Sequence, residues 1–193
     1  MTVETLAQKV RRVIGERITI EPYNPEWPKF FDAECEHLYS CLPEKIIGHI
    51  EHFGSTAIPG LAAKPIIDML IEVTSLEKAK TEIVPILESQ GYDYFWRPTF
   101  GDKTPPFYVW FIKRDTLGQR THHLHMIEKS DLFAQHWDRL LFRDYLRVHG
   151  RIARDYEQVK RRHAEKFETN RKEYTYAKTD FIQRITQLAK KSG

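Results

Sequence analysis

The sequence predicts an α+β domain: a mixed β-sheet with flanking helices, followed by a C-terminal helical segment. Three observations carry this. Apolar runs of strand length recur between residues 46 and 128, bounded by Gly, Pro and Asn/Asp turn signals. A helical-period segment interrupts them at Leu76–Gln90, so strands and helices alternate only in part. Beyond residue 130 the apolar spacing is helical almost to the end.

Taken in order, Thr5–Glu16 places Leu6, Val10, Val13 and Ile14 at helical spacing and reads as an N-terminal helical extension over residues 1–16. The domain proper covers 17–193, with its sheet core reaching about residue 128 and its helical part covering 130–190. Arg17–Tyr23 reads as an edge strand, stopped by Pro22 and Pro25. Glu26–Leu42 is a helix with Pro28 in its first turn, where a missing amide is harmless. Ile46–Phe53 and Ile66–Val73 are strands, and Leu76–Gln90 is a helix closed by Gly91. Tyr92–Trp96, Phe107–Lys113 and Gln119–Glu128 are strands, with a Pro/Gly-rich loop over Arg97–Pro106. Ser130-Asp131 caps a helix to about Val148, Gly150 punctuates, and helices follow over Ile152–Phe167 and Glu173–Lys190.

The 193 residues are 41% hydrophobic and 30% charged, which excludes a disordered chain. No apolar run reaches membrane-spanning length, and residues 1–16 lack an apolar signal core. Cys35 and Cys41 lie six apart on one expected helix, on different sides of it, so no mutual disulfide is expected and a cytoplasmic location fits. The net charge of +3 does not demand nucleic acid, although basic residues concentrate after Arg139.

The informative stretch is Ile50–Val73. Gly54 lets the backbone approach a ligand, and Ser55 and Thr56 offer hydroxyls and amides to phosphate oxygens. Asp68 then interrupts an apolar run, where an unpaired charge is expensive. A carboxylate there suits a hard cation such as Mg²⁺. This outline is similar to the site of the nucleotidyltransferase superfamily. Gly54-Ser55-Thr56-Ala57-Ile58-Pro59-Gly60-Leu61-Ala62-Ala63-Lys64-Pro65-Ile66-Ile67-Asp68 more closely resembles the hallmark of the GrpB-like family. The resemblance covers roughly Ile18–Ile185 and implies a nucleotidyltransferase-like sheet, with relatives fused to dephospho-coenzyme A kinase as an accessory domain.

Strand alternation puts Asp68, Leu70 and Glu72 on one face. Working nucleotidyltransferases set two carboxylates at i and i+2, roughly 7 Å apart along the strand. Here the second position is Leu70, and Glu72 lies roughly 13 Å from Asp68. The blander reading of Asp68 is an acceptor for the Gly54–Thr56 amides. In Arg120-Thr121-His122-His123-Leu124-His125, alternation puts His123 and His125 together, and the family shares a His-x-His there. Beside Asp68, they would stand where active enzymes carry a third carboxylate. Asp68, His123 and His125 are therefore the candidate catalytic and metal-ligating set, for Mg²⁺ or Mn²⁺ with Zn²⁺ as a third choice. A hydrogen-bonded histidine pair on an edge is the alternative.

Arg143 and Arg147 share a helical face, as do Tyr174 and Lys178. They match the family's Phe-Arg-Asp-Tyr-Leu-Arg and Tyr-x-x-x-Lys patterns and, with Lys64 and Lys160, are expected to clamp phosphates. A solvated helical face is the alternative. Trp110, Phe107 and Tyr108 read as strand packing rather than base-stacking groups. The expected partner is a nucleotide or another phosphorylated small molecule, with no membrane. Two functions follow. One is transfer of a nucleotidyl group to an acceptor. The other is non-catalytic binding of a nucleotide or coenzyme A-related ligand in the same cleft, which Leu70 favours. Nucleic-acid binding through the basic helices is a weaker third.

Overall fold

The strand-like runs pair into one mixed sheet in a computed structural model that describes residues 5–99 and 104–192. Its strands are β1 (Ile47–Phe53), β2 (Ile67–Val73), β3 (Asp93–Pro98), β4 (Phe107–Arg114) and β5 (Arg120–Ile127), in the order β1-β2-β5-β4-β3. β2 and β5 run parallel at the centre, and the other neighbours are antiparallel. Central strands covered on both faces need apolar residues throughout. Met69, Leu70, Ile71, Leu124, Met126 and Ile127 are accordingly all fully buried. Asp68 and His123 are directly paired across the parallel seam, as are Leu70 and His125, so all four share one face.

The helices α1 (Leu6–Gly15) and α2 (Trp27–Cys41) precede the sheet. Thr5 and Gln8 form a reciprocal capping box on α1, and Pro28 sits in the first turn of α2. Between β2 and β3 the expected single helix is three pieces: α3 (Leu76–Lys78), a π turn over Ala79–Ile83, and α4 (Val84–Ser89). Pro85 explains the widening, because it has no amide for the carbonyl four residues back and its ring crowds that turn. After β5 come α5 (Ala134–Val148), α6 (Gly150–Lys166), α7 (Arg171–Tyr176) and α8 (Thr179–Ser192). The expected helix over 173–190 is thus broken: the Lys178 amide bonds the Thr175 carbonyl, tightening the chain between α7 and α8.

Arg17–Tyr23 is not a strand. Glu21 and Ala63 exchange two backbone bonds as an isolated bridge, while the Ile18 amide bonds Glu168. Pro22 and Pro25 remove donors that a ladder would need. Residues 1–4 of the expected N-terminal extension and residues 100–103 of the expected loop lie outside the described residues. Cys35 and Cys41 are unpaired. Among the described residues no helix is long and apolar enough to cross a membrane.

The main core lies on the sheet. A second cluster joins Ile58 and Leu61, from the loop after β1, to Phe142, Leu146, Ala153, Tyr156 and Ile185 of the C-terminal helices. A third joins Ile18, Ala164 and Tyr174. The second cluster holds the helical segment against the β1–β2 loop and the third ties it to the segment before α2, which places helix side chains beside Asp68.

Candidate functional site

β1 ends at Phe53, and Gly54 then adopts φ 74° and ψ −170°, a region essentially open only to glycine. A Cβ at Gly54 would lie 2.5 Å from Asp68 Oδ2, 3.1 Å from its Cβ and 3.2 Å from its Cγ. The glycine is there to let the loop pass the carboxylate. Ser55–Ala57 form a 3₁₀ turn. The Thr56 hydroxyl points inward: it donates to the Ile66 carbonyl (3.3 Å) and meets His52 Nε2 (2.9 Å). Thr56 therefore pins the loop to the strand, and its hydroxyl is not available to phosphate as expected. Burial holds His52 down at about 4, so it is the neutral donor in that bond. Ser55 instead lines the cleft beside Asp68 together with Tyr156.

Asp68 Oδ1 lies 3.0 Å from His123 Nδ1. Burial opposes ionisation of Asp68. The His123 bond, Lys64 and Arg139 nevertheless hold its carboxyl below the usual range. An ionised carboxylate only accepts, so His123 Nδ1 carries the proton in this bond. His123 Nε2 faces Arg120 NH1 at 3.4 Å, and a guanidinium only donates. Both contacts require the same neutral tautomer, and burial pushes the imidazole down to about 4. Arg120 is in turn paired with Glu16, which also binds Arg114 (2.7 Å) and Arg171 (3.6 Å). A chain of contacts thus runs from the end of α1 to Asp68.

His125 stands next along β5, walled by Phe53 and Tyr108, with ring centroids 5.2 and 5.6 Å away. Among the described residues, its buried Nδ1 has no hydrogen-bond partner. Burial, then Arg139 and Arg97, keep its pKa well below the ordinary histidine range. Asp68, His123 and His125 each present one ligand atom within 4.8 Å of the others. A metal ion fits this donor set in part. The second Asp68 oxygen and the orphaned His125 Nδ1 are suited to it, whereas both His123 nitrogens are engaged. His123 is thus placed to orient the carboxylate.

Beside Asp68 a cleft of about 100 Å³ is lined by Gly54, Ser55, Lys64, Tyr156, Lys160, Tyr174 and Lys178, among others. Whole drug-sized ligands occupy pockets of roughly 300–1,000 Å³, so this space matches a phosphate group rather than a nucleoside. Lys64 and Lys178 both lie over the Tyr174 ring, at 5.3 and 3.9 Å. Lys160 is buried and bonds the Ala62 carbonyl. Burial lowers Lys160 to about 7, with Glu157 opposing. Burial, then Arg171, lowers Lys64 to about 8. Burial, then Lys64 and Lys160, takes Lys178 well below the usual lysine range. Three ammonium groups crowd one small space, and an entering anion would relieve their repulsion.

Arg143 and Arg147 are not in this cleft. Arg143 is held by Glu51 (2.6 Å), Asp144 (2.7 Å) and the His52 carbonyl (2.8 Å). Arg147 bonds the Ala57 carbonyl (3.0 Å) and Asp144 (3.2 Å). The expectation that they clamp phosphates does not match this placement: they brace the outer side of the Gly-Ser loop, because acidic and carbonyl partners already satisfy their donors. Sequence reasoning met Tyr156 only as part of the Tyr-x-x-x-Lys pattern that ends at Lys160 and passed over Arg139, because helical spacing gives no sign of which face meets Asp68. It also passed over Arg97, placed in a loop, and Glu16, placed in a variable extension.

Residues 17–188 match the model of the GrpB protein family. The chain is 39% identical to the UPF0157 protein PA4798 of Pseudomonas aeruginosa, over 88% of this chain and 66% of that one. Part of it is 35% identical to a dephospho-CoA kinase of Mycolicibacterium paratuberculosis, over 42% of this chain and 20% of that one. Among solved structures it is similar to the conserved protein GrpB from Enterococcus faecalis, with a TM-score of 0.76 and 33% identity over 90% of this chain and 98% of that one. The chain spans 66% and 48% of the length of two curated relatives that it matches.

Proposed function

The chain belongs to the GrpB family, and from that premise we propose that its cleft binds the phosphates of a nucleotide or related phosphorylated small molecule together with a divalent cation. The observation that carries this is the convergence of Lys64, Lys160 and Lys178 on the space beside Asp68, where Gly54 leaves no room for a side chain. Oxyanions match the lysines, and Asp68 with His125 offers the oxygen and nitrogen donors a cation would use. With so many positive groups around a single carboxylate, the cation enters with its phosphate rather than alone.

The chemistry suited to this cleft is nucleotidyl transfer. An acceptor oxygen bonds to phosphorus, the bond to the leaving phosphate oxygen breaks, and the acceptor proton passes to a base. A bound divalent ion would supply Lewis-acid stabilisation of the phosphate oxygens. The lysines hold the leaving group's charge, His123 fixes Asp68, and the Gly-Ser loop keeps the phosphate close to the strand end. Leu70 favours a second reading. It is fully buried where active enzymes carry another carboxylate, so the cleft would bind a nucleotide or coenzyme A-related ligand without turnover.

Calorimetry with ATP, with and without Mn²⁺, tests the shared premise. Metal-dependent binding that is lost in Asp68→Ala is expected, and absence of any binding would remove both readings. Pyrophosphate release during a screen of acceptors separates the enzyme from the binder.

A further inference from the structure

Two arginines beside the cleft have a geometry that phosphate binding by the lysines does not use. His125 lies between the rings of Phe53 and Trp110, with centroids 5.2 and 6.0 Å away. Each of those rings carries a guanidinium: Arg139 over Phe53 at 5.5 Å, and Arg97 over Trp110 at 4.4 Å. Arg139 reaches this place from α5 and Arg97 from β3, so two distant segments bring like charges to the two sides of one buried histidine. Among the described residues, neither arginine makes an ion pair with a carboxylate, in contrast to Arg114, Arg120, Arg143 and Arg171. Beneath them Trp110 Nε1 and His125 Nδ1 are buried and have no hydrogen-bond partner among the described residues. The two guanidiniums repel each other, and the nearby carboxylate, Asp68, is already hydrogen-bonded to His123 and shared with Lys64, so their charge is only partly offset until an anion joins them.

We propose that Arg97 and Arg139 form a second oxyanion subsite, separate from the lysine cleft, that takes a carboxylate or phosphate of the second substrate. This rests on the two-ligand reading of the site. It makes the acceptor an acidic molecule rather than a neutral alcohol or amine. Planar guanidiniums suit such groups because their paired donors match two oxygens at once. Register places Asp68 and His125 two residues apart in this face, on neighbouring strands, so an anion seated here would bring its attached hydroxyl or amine toward the metal cluster.

The test follows the guanidinium Nε–H signals of Arg97 and Arg139 by NMR in the full chain. They are identified from Arg97→Lys and Arg139→Lys and titrated with inorganic phosphate and, separately, succinate. The titrations are run alone and with Mg²⁺ and a non-hydrolysable ATP analogue present. Both signals are expected to move together and saturate with one dissociation constant, with the nucleotide site filled or empty. The stronger of the two probes names the acid group. Arg97→Gln should weaken that probe about tenfold or more and leave nucleotide-analogue affinity within about twofold. Signals that do not saturate would overturn the subsite. So would a loss of nucleotide affinity in Arg97→Gln equal to that in Lys178→Gln, because the arginines would then belong to the first ligand. Saturation by the probe without any nucleotide binding would support the subsite and remove the nucleotide reading instead.

Discussion

Replacing Gly54 by alanine tests the close approach of loop and carboxylate. The backbone at φ 74° and ψ −170° is one that alanine adopts at a cost of about 1–3 kcal/mol. The new methyl would also sit 2.5 Å from Asp68 Oδ2. Turning the carboxylate away breaks its 3.0 Å bond to His123, and the neighbouring Cβ and Cγ, at 3.1 and 3.2 Å, leave little room for that rotation. A lost charge-assisted bond or an off-rotamer side chain adds about 1 kcal/mol. The sum is about 2–4 kcal/mol, a fall in melting temperature of roughly 5–15 °C for a chain of this size. Gly60→Ala is the control, because Gly60 also has positive φ (76°) but nothing within 4 Å of an added Cβ. It should show only backbone strain, about 1 kcal/mol, and leave ligand binding unchanged. The assay is thermal unfolding of both variants, with Mn²⁺-nucleotide titrations. Equal destabilisation of the two, with binding intact in Gly54→Ala, would refute the argument that this glycine serves Asp68.

Leu70→Asp should lower the stability of the ion-free protein by about 4 kcal/mol, because it removes a fully buried side chain and buries a charge. Added Mn²⁺ should restore part of that loss in a thermal-shift assay, since the new carboxylate would share a face with Asp68, His123 and His125; no recovery would count against the proposed ion position. Lys160 titrates at about 7 in the fold against 10.5 in the unfolded chain. Between those values the unfolded chain holds more protons, so ligand-free stability should rise with pH while phosphate affinity falls. Melts and phosphate titrations from about pH 6 to pH 9 would show this, and a parallel rise of both would contradict it. Glu16→Gln should cost about 1–3 kcal/mol, less than a fully buried pair because Glu16 is 24% exposed. The folded carboxyl sits below 4.5, against the opposing effect of burial, through its bonds to Arg114 and Arg120. Its contribution is therefore present above pH 4.5 and lost as pH falls below, and the variant's denaturant-unfolding stability should change less across that acid limb.

The sheet was legible because its runs are apolar and bounded by turn residues, and the Gly-Ser loop with Asp68 stood out because a charge inside such a run needs a reason. The pairing of Asp68 with His123 follows from strand alternation once β5 lies beside β2. Alternation and helical spacing say which residues share a face, not what that face meets. Arg143 and Arg147 do share a helical face, but Glu51 and Asp144 meet it. Arg139 drew no attention, because only the packing of α5 over β1 brings it to Phe53. Proline chemistry accounts for two departures: Pro85 behind the π turn, and Pro22 and Pro25 behind the missing edge strand. The break between α7 and α8 carries no Gly or Pro signal, and only its tightened turn reveals it.

Asp68 and His123 are 55 residues apart, and every strand between them joins the sheet on the far side of β5. Closing that long loop costs chain entropy before any contact between the two strands can offset it. Folding kinetics followed through Asp68 and His123 should therefore trail those of the β3–β4 and β4–β5 hairpins. A nascent chain that has already formed its hairpins would still be unable to hold a ligand. Binding competence would appear last, and a ligand added during refolding would accelerate none of the earlier steps.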